Sequence, residues 1–315
     1  MAELPPVPGK LMLAGEYAVL RANGVALAVA VGEVALGELT DGAADVTLHA
    51  FGQTFVLAAG TRHPIGLLGF VARALTWLER HHDVRLKRHL TLHVAGAVGG
   101  AKVGLGTSAA VTVATLRAVL QDAGLQWPAA QVADAARQIH GAGQGAGSGY
   151  DVTTIAHGGC VAYHRTPDRA VRLAWPTGLH GVALFSGEPA PTQAALDKRP
   201  MAAAHLDAMD EAARDLLSVW QGPIAAIVDA LRRCDAAFLA AAADDASLVP
   251  PHVVDLRARI ASHGCLARAS GAGGGDCVLA FADDAEAIAR LAIDWQSSGG
   301  HLVALLPHDI APEVA

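Results

Sequence analysis

AVGGAKVGLGTSAAVTVATLRAVLQDAG, residues 97–124, couples a glycine-rich turn to a run of small and apolar residues that ends at a glycine. Gly104 and Gly106 permit a backbone path that residues bearing a Cβ resist. The residues from Thr107 onward open a helix whose first N–H groups have no partner inside it. Aligned N–H groups and the positive end of a helix dipole make such a turn a cradle for phosphate. Taken alone, the pattern describes an ordinary structural turn equally well. Gly124 stands where a helix of this length would stop.

Upstream of the cradle, residues 11–20 and 25–39 are rich in apolar and β-branched side chains broken by Gly and Asn, which predicts an opening β-meander. Residues 47–57 alternate and read as another strand, the amphipathic run from Pro64 to about His82 as a helix, and 90–94 as a strand. Downstream, 129–138 reads as a helix, 141–149 as a glycine-rich loop, Asp151 as the opening of a short helix or turn, and 160–164 as a strand. Alanine-rich helices follow over 207–217, 224–243 and 252–263, with a polar break at 244–247. A strand at 276–281, a helix at 286–295 and a strand at 302–306 close the chain. A domain boundary is expected near residue 175, dividing the chain into 1–175 and 176–315.

With 315 residues, of which 52% are apolar, the chain can bury a substantial core. Charged residues make up 17% and the net charge is −7, so the basic footprint of a nucleic-acid binder is missing and a small-molecule partner is expected. An anionic ligand would then need a few local cations or backbone N–H groups. The N-terminus carries no basic flank or apolar core of signal-peptide length, and no apolar run reaches the roughly 18 residues of a membrane span. A cytoplasmic protein without a membrane partner is expected. Cys160, Cys234, Cys265 and Cys277 match neither a zinc nor a disulfide spacing and read as free, mostly buried thiols.

Of the four lysines, Lys10, Lys87, Lys102 and Lys198, two lie beside glycine motifs: Lys10 in PGK and Lys102 in AKVGLG. In a chain whose positive charge is otherwise arginine, these two are candidates for a compact point charge on phosphate, or else are solvated surface lysines. A second glycine cluster, SGAGGGDC at 270–277, directly precedes a strand. Three consecutive glycines there fit close packing on a ligand or loop, or a flexible hairpin tip.

PGKLMLAGEYAVL at 8–20, KVGLGTSAA at 102–110 and SGAGGGDC at 270–277 together resemble, in order and spacing, the three signature motifs of the GHMP kinase superfamily. GEYAVL, GGGDC, FSGEPAPT at 185–192 and GSGYDVTTIAHGGCVAYH at 147–164 are most similar to its phosphomevalonate kinase branch. There are departures. Cys160 stands where that branch usually has tryptophan, Arg268 where a lysine often precedes the third motif, and His140 where mevalonate kinases carry a magnesium-binding glutamate.

The resemblance implies an α+β, two-domain GHMP kinase fold, with an N-terminal nucleotide-binding domain like domain 2 of ribosomal protein S5 and a ferredoxin-like C-terminal domain. It implies ATP and Mg²⁺ as cofactors and a small anionic substrate, phosphomevalonate, in a monomer or homodimer. Mevalonate kinase, another small-molecule kinase of the superfamily and a catalytically silent sensor are the alternatives. Lys102, Gly104, Leu105, Gly106, Thr107, Ser108 and Ala109 would wrap the ATP phosphates, with Ser108 also a magnesium ligand. Lys10 and Asp151 would be catalytic, Asp151 mainly orienting Lys10. Glu16, Tyr17, Ser148, Gly149, Ser270, Gly271, Ala272 and Gly273 would face the substrate. Lys102 and Arg268 are candidates for the extra cation that a phosphate acceptor requires.

Overall fold

The computed structural model describes residues 2–61, 64–144, 147–189 and 201–307. They fall into two compact units, one drawn from Met1–Lys10, Ala30–Gly100 and Leu105–Gly158, the other from Leu11–Val29, Ala101–Gly104 and Gly159–Ala315. The first unit holds β1 (Ala2–Glu3), the start of β2 (Val7–Ala14), most of β3 (Val25–Thr40), β4 (Val46–Ala50), β5 (Gln53–Leu57), α1 (Gly66–His82), β6 (His89–Val94) and β7 (Ala97–Val98). Helices α2 (Thr107–Asp122), α3 (Ala129–Gln144) and α4 (Tyr150–His157) complete it.

The later part of β3 pairs antiparallel with β6, and β6 runs parallel to β4. A parallel pair needs a long crossover, which β5 and α1 supply. Residues 47–57, expected as one strand, form the β4–β5 hairpin instead. Phe51 and Gly52 both take left-handed backbone, φ 55° and 74°, as in a two-residue type I′ turn. Phenylalanine rarely occupies that region, so only Gly52 marked the turn.

Helix α2 is apolar nearly all round and is accordingly buried, packing against α1, α3, α4 and β6. Its small side chains, Ala109, Ala110, Ala114 and Ala118, let those neighbours approach. The buried hydroxyls of Thr112 and Thr115 donate to the Ser108 and Val111 carbonyls at 2.9 and 2.8 Å, so neither is left unsatisfied. Helix α3 continues to Gln144, so the start of the glycine-rich stretch expected as a loop is helical. A helical glycine costs about 1 kcal/mol relative to alanine, and packing against α1, α2 and α4 overrides that local preference.

The second unit contains the start of β3, β8 (Ala101–Lys102), β9 (Cys160–His164), β10 (Arg169–Leu173) and β11 (His180–Phe185). Helices α5 (Ala203–Val219), α6 (Ile224–Asp244) and α7 (Pro251–Ser262) follow, then β12 (Leu266–Ala269), β13 (Cys277–Ala282), α8 (Ala285–Ser297) and β14 (Leu302–Leu306). Strands β12, β13, β11 and β14 form an antiparallel sheet in that order. Read along the chain this is a strand, helices, two strands, a helix and a strand, the ferredoxin-like arrangement. Its core joins Val182, Leu184, Val278 and Ala280 to Leu256, Ile260, Ile288 and Leu291. All four cysteines are buried thiols, and burial pushes the Cys234 thiol up to about 11. Among the described residues no helix is long and apolar enough to cross a membrane.

Asp122 closes α2 with a buried carboxylate, 2% exposed, at the end of the helix where negative charge is disfavoured. Arg88 Nε donates to it at 2.6 Å, and the Lys87 and Arg88 N–H groups at 2.6 and 3.2 Å, which ties the approach to β6 to the end of α2. Burial alone would raise its pKa, but these donors hold it below the ordinary carboxylate value. A depressed carboxylate stabilises the fold above its unfolded pKa, near 4, and the contribution fades as pH falls through the folded value. Asp122→Asn should therefore lower the unfolding free energy by about 2 kcal/mol at pH 7, and urea titrations should show that gap narrowing below pH ~4.

Candidate active site

The placement of Lys10 begins with Gly9. A Cβ on Gly9 would stand 2.8 Å from the Leu105 carbonyl oxygen and 2.8 Å from Val34 Cγ2, so glycine is required here for close approach. That approach lets the Lys10 N–H donate to the Leu105 carbonyl at 2.9 Å. The Lys10 side chain is buried, and its stem runs past Gly106, where a Cβ would meet Lys10 Cγ and Cε at 3.2 Å. Gly106 itself has φ 74° and caps α2 with no side-chain hydrogen bond. No side chain of the cap therefore satisfies the first N–H groups of the helix, which begins with Thr107, Ser108 and Ala109. Lys10 Nζ stands 5.7 Å from the centre of the Tyr150 ring, beside Asp151 in sequence.

Asp151 is the second residue of α4, and Gly149, φ 82°, occupies the cap position, so Asp151 does not serve as the N-cap. Its Oδ2 lies 3.8 Å from His140 Nδ1, and the other ring nitrogen, Nε2, lies 3.1 Å from Ser108 Oγ. His140 is 4% exposed and packs at 5.0 Å against Phe70. His140, which in the sequence stands only as a departure from a magnesium-binding glutamate, is buried and joins two of the expected site residues. Ser148 is half-buried ahead of Gly149.

A second group of expected residues gathers in the other unit. Ser270 Oγ accepts the Met12 N–H at 3.0 Å, and Tyr17 Oη donates to the Ala272 carbonyl at 2.7 Å. Burial first, then Asp245 and Glu16, push the Tyr17 phenol up to about 12, so it remains a donor throughout the neutral range. Glu16, buried, pairs with Arg268 Nη2. Burial opposes the Arg268 charge, but Glu16 and Asp235 outweigh it and hold the group cationic. Arg268 is thus not an exposed cation for an acceptor: it is 1% exposed and anchors the first motif to the third, which holds Ser270, Gly271, Ala272 and Gly273.

Lys102 is exposed on β8. Gly104, φ 76°, has no room for a side chain, because a Cβ would lie 2.7 Å from Asp276 Oδ2. The Cys277 thiol donates to the Val103 carbonyl at 3.0 Å. Asp276 and Cys277 therefore brace the first residues of the phosphate loop, a role with no signature in the sequence beyond their place after the glycines. FSGEPAPT lies within the described residues only through Pro189.

The GHMP kinases N terminal domain model matches residues 69–159 and the GHMP kinases C terminal model residues 224–300, together more than half of the chain, which therefore belongs to the GHMP kinases. The sequence is 29% identical, over an alignment 370 positions long, to the phosphomevalonate kinase of Streptomyces sp. (strain CL190), with 97% of this chain and 96% of that protein covered. Streptococcus pneumoniae phosphomevalonate kinase, solved in complex with phosphomevalonate and AMPPNP, superposes with a TM-score of 0.84 at 19% identity, over 97% of this chain and 99% of that one. Methanococcus jannaschii mevalonate kinase gives 0.77 at 15% identity, over 96% and 98%. The two-domain GHMP kinase fold expected from the motifs is the fold observed.

Gly9→Ala should force β2 off the phosphate loop, raising the KM for ATP at least about tenfold and costing about 1–3 kcal/mol of stability. Gly141→Ala, on α3 with nothing within 4 Å of the added Cβ, should leave KM unchanged and stabilise by about 0.5–1 kcal/mol. Steady-state kinetics and denaturant midpoints on the two variants test the contrast.

Proposed function

We propose that this chain transfers the γ-phosphoryl group of ATP to the phosphate of phosphomevalonate, giving diphosphomevalonate and ADP, in the mevalonate route to isoprenoids. The observation that carries the reading is the seating of a buried lysine, Lys10, against the glycine that opens α2, which puts a fixed cation and a helix N-terminus at one place. The nearly full-length likeness to the Streptomyces enzyme supports phosphomevalonate as the acceptor.

The acceptor is a phosphate monoester whose second pKa is about 6, so at neutral pH its nucleophilic oxygen is already anionic. The reaction must bring two anions together. At an effective dielectric of about 20, two unit charges about 4 Å apart repel by roughly 4 kcal/mol, which is about a thousandfold in rate. Lys10 offsets that repulsion, Lys102 adds exposed charge beside the loop, and Asp151 orients its neighbours rather than acting as a strong base. The division 1–175 and 176–315 into nucleotide-binding and ferredoxin-like domains is part of the proposal, supported by the limits of the two family models.

The donors present fit Mg²⁺. Among the described residues no group of three or more His, Cys, Asp or Glu could cage a metal, and Mg²⁺ needs none, since it takes one or two protein oxygens along with substrate phosphates and water. Ser108 would hold it, and bound there it would neutralise phosphate charge. An open cavity of about 420 Å³ lined by His49, Phe51, His93 and Val94 is the proposed seat of the ATP base. The His49 and His93 rings stack 4.7 Å apart there, and a Cβ on Gly96, just past the cavity, would stand 3.7 Å from Thr107 Oγ1.

A coupled ADP-release assay with Mg·ATP should show turnover on phosphomevalonate and none on mevalonate or a sugar panel. Preference for mevalonate or a sugar would replace the acceptor. Lys10→Met should lower kcat about a thousandfold. Asp151→Asn should be no more damaging to kcat than Lys102→Met, and the reverse order would assign Asp151 the role of base.

A further inference from the structure

The phosphotransferase reading leaves His140 without a task, although it is the residue that joins Ser108 to Asp151. We infer that His140 is a positioning residue that sets the direction of the Ser108 hydroxyl. It holds Nδ1–H toward Asp151, accepts the Ser108 O–H hydrogen bond at Nε2, and so makes Ser108 an electron-pair donor toward the nucleotide's cation.

The argument starts from what each neighbour of the ring can do. Asp151 Oδ2 lies 3.8 Å from Nδ1, too long for a hydrogen bond but close enough to orient a dipole. A carboxylate oxygen is an acceptor, so the tautomer that puts N–H toward it is favoured, and the opposite tautomer would face it with a lone pair. Nε2 is then an acceptor. Its neighbour at 3.1 Å is Ser108 Oγ, whose rotatable O–H can donate to it.

The ring cannot easily turn away from this arrangement. His140 is almost fully buried on α3, and Phe70 of α1 lies against it with 30° between the ring planes. Ser108 is fixed in turn by its place in the first turn of α2, where its carbonyl accepts the Thr112 hydroxyl at 2.9 Å. The two ring nitrogens thus face different partners, Nε2 toward Ser108 and Nδ1 toward Asp151.

A consequence separates this role from simple packing. A serine whose O–H donates to His140 meets any further neighbour with lone pairs, which suits a hard cation and not a phosphate oxygen. Loss of His140 should then weaken the nucleotide only when a divalent cation accompanies it. The cation-free nucleotide would rest on the backbone N–H groups of the first turn of α2 and on Lys10 instead.

The test has two parts, neither of which uses an acceptor substrate, so failure of the wild type to phosphorylate phosphomevalonate would strike the acceptor assignment alone. Long-range ¹H–¹⁵N correlation spectra of the histidine-labelled wild-type protein at pH 7.5 should show His140 as the Nδ1–H tautomer, a readout that no folding defect in a variant can disturb. An Nε2–H or doubly protonated ring would overturn the inference. Calorimetric titration with AMPPNP should show His140→Ala binding about tenfold more weakly in Mg²⁺ and within about twofold of wild type in EDTA, the scale of one hydrogen bond to a charged site. His140→Gln, which can accept from Ser108 and donate toward Asp151, should recover most of the loss. Equal weakening in both conditions, or none in either, would reduce His140 to a packing residue.

Discussion

The contact on which the site depends is the close approach of β2 to the phosphate loop. It consists of a glycine without room for a side chain, one backbone hydrogen bond from Lys10 to Leu105, and a lysine stem laid past Gly106. Lysine on a free surface is a flexible, strongly hydrated charge that loses much rotamer freedom when it is used. Here the freedom is removed by folding, before any ligand arrives, and the ammonium is fixed relative to the helix N-terminus that would hold phosphate. The all-round burial of α2 serves the same end, since a helix packed on every side cannot rock its first turn.

The other unit solves a related problem with charge. Glu16 and Arg268 are both out of water, and their mutual attraction is what makes that burial tolerable. The pair ties the turn after β2 to the end of β12, while Tyr17 and Ser270 add two neutral hydrogen bonds along the same seam. Asp235, whose charge also favours the Arg268 cation, is held by Arg257 with two bonds of 3.1 and 2.7 Å. Within each unit the signature motifs are thus joined by contacts that leave little slack.

Much of this was legible in the sequence because it rests on local patterns. The glycine turn before α2, the alanine-rich helices and the closing strand, helix and strand follow from periodicity and from residues with special backbone tolerance. The missed features are of another kind. The β4–β5 turn puts a phenylalanine in left-handed backbone, and β10, β11 and β12 are short strands whose alternation is weak. Gly141 is helical only because α3 is packed on three sides. Within the site, Lys10 and Ser108 were readable from their glycine neighbours, whereas His140 and the burial of Arg268 depend on partners far off in the chain. A histidine or arginine on its own says nothing of what faces it.

Gly104 and Asp276 lie far apart in sequence yet occupy one volume: the space a side chain would need at the first is filled by the carboxylate of the second. Asp276 holds that place with a left-handed backbone, φ 52°, unusual for a residue with a side chain. The phosphate loop and the third glycine motif are therefore a single steric object. Neither position can drift by itself in evolution, and a redesign that enlarges the loop at residue 104 must first shrink residue 276.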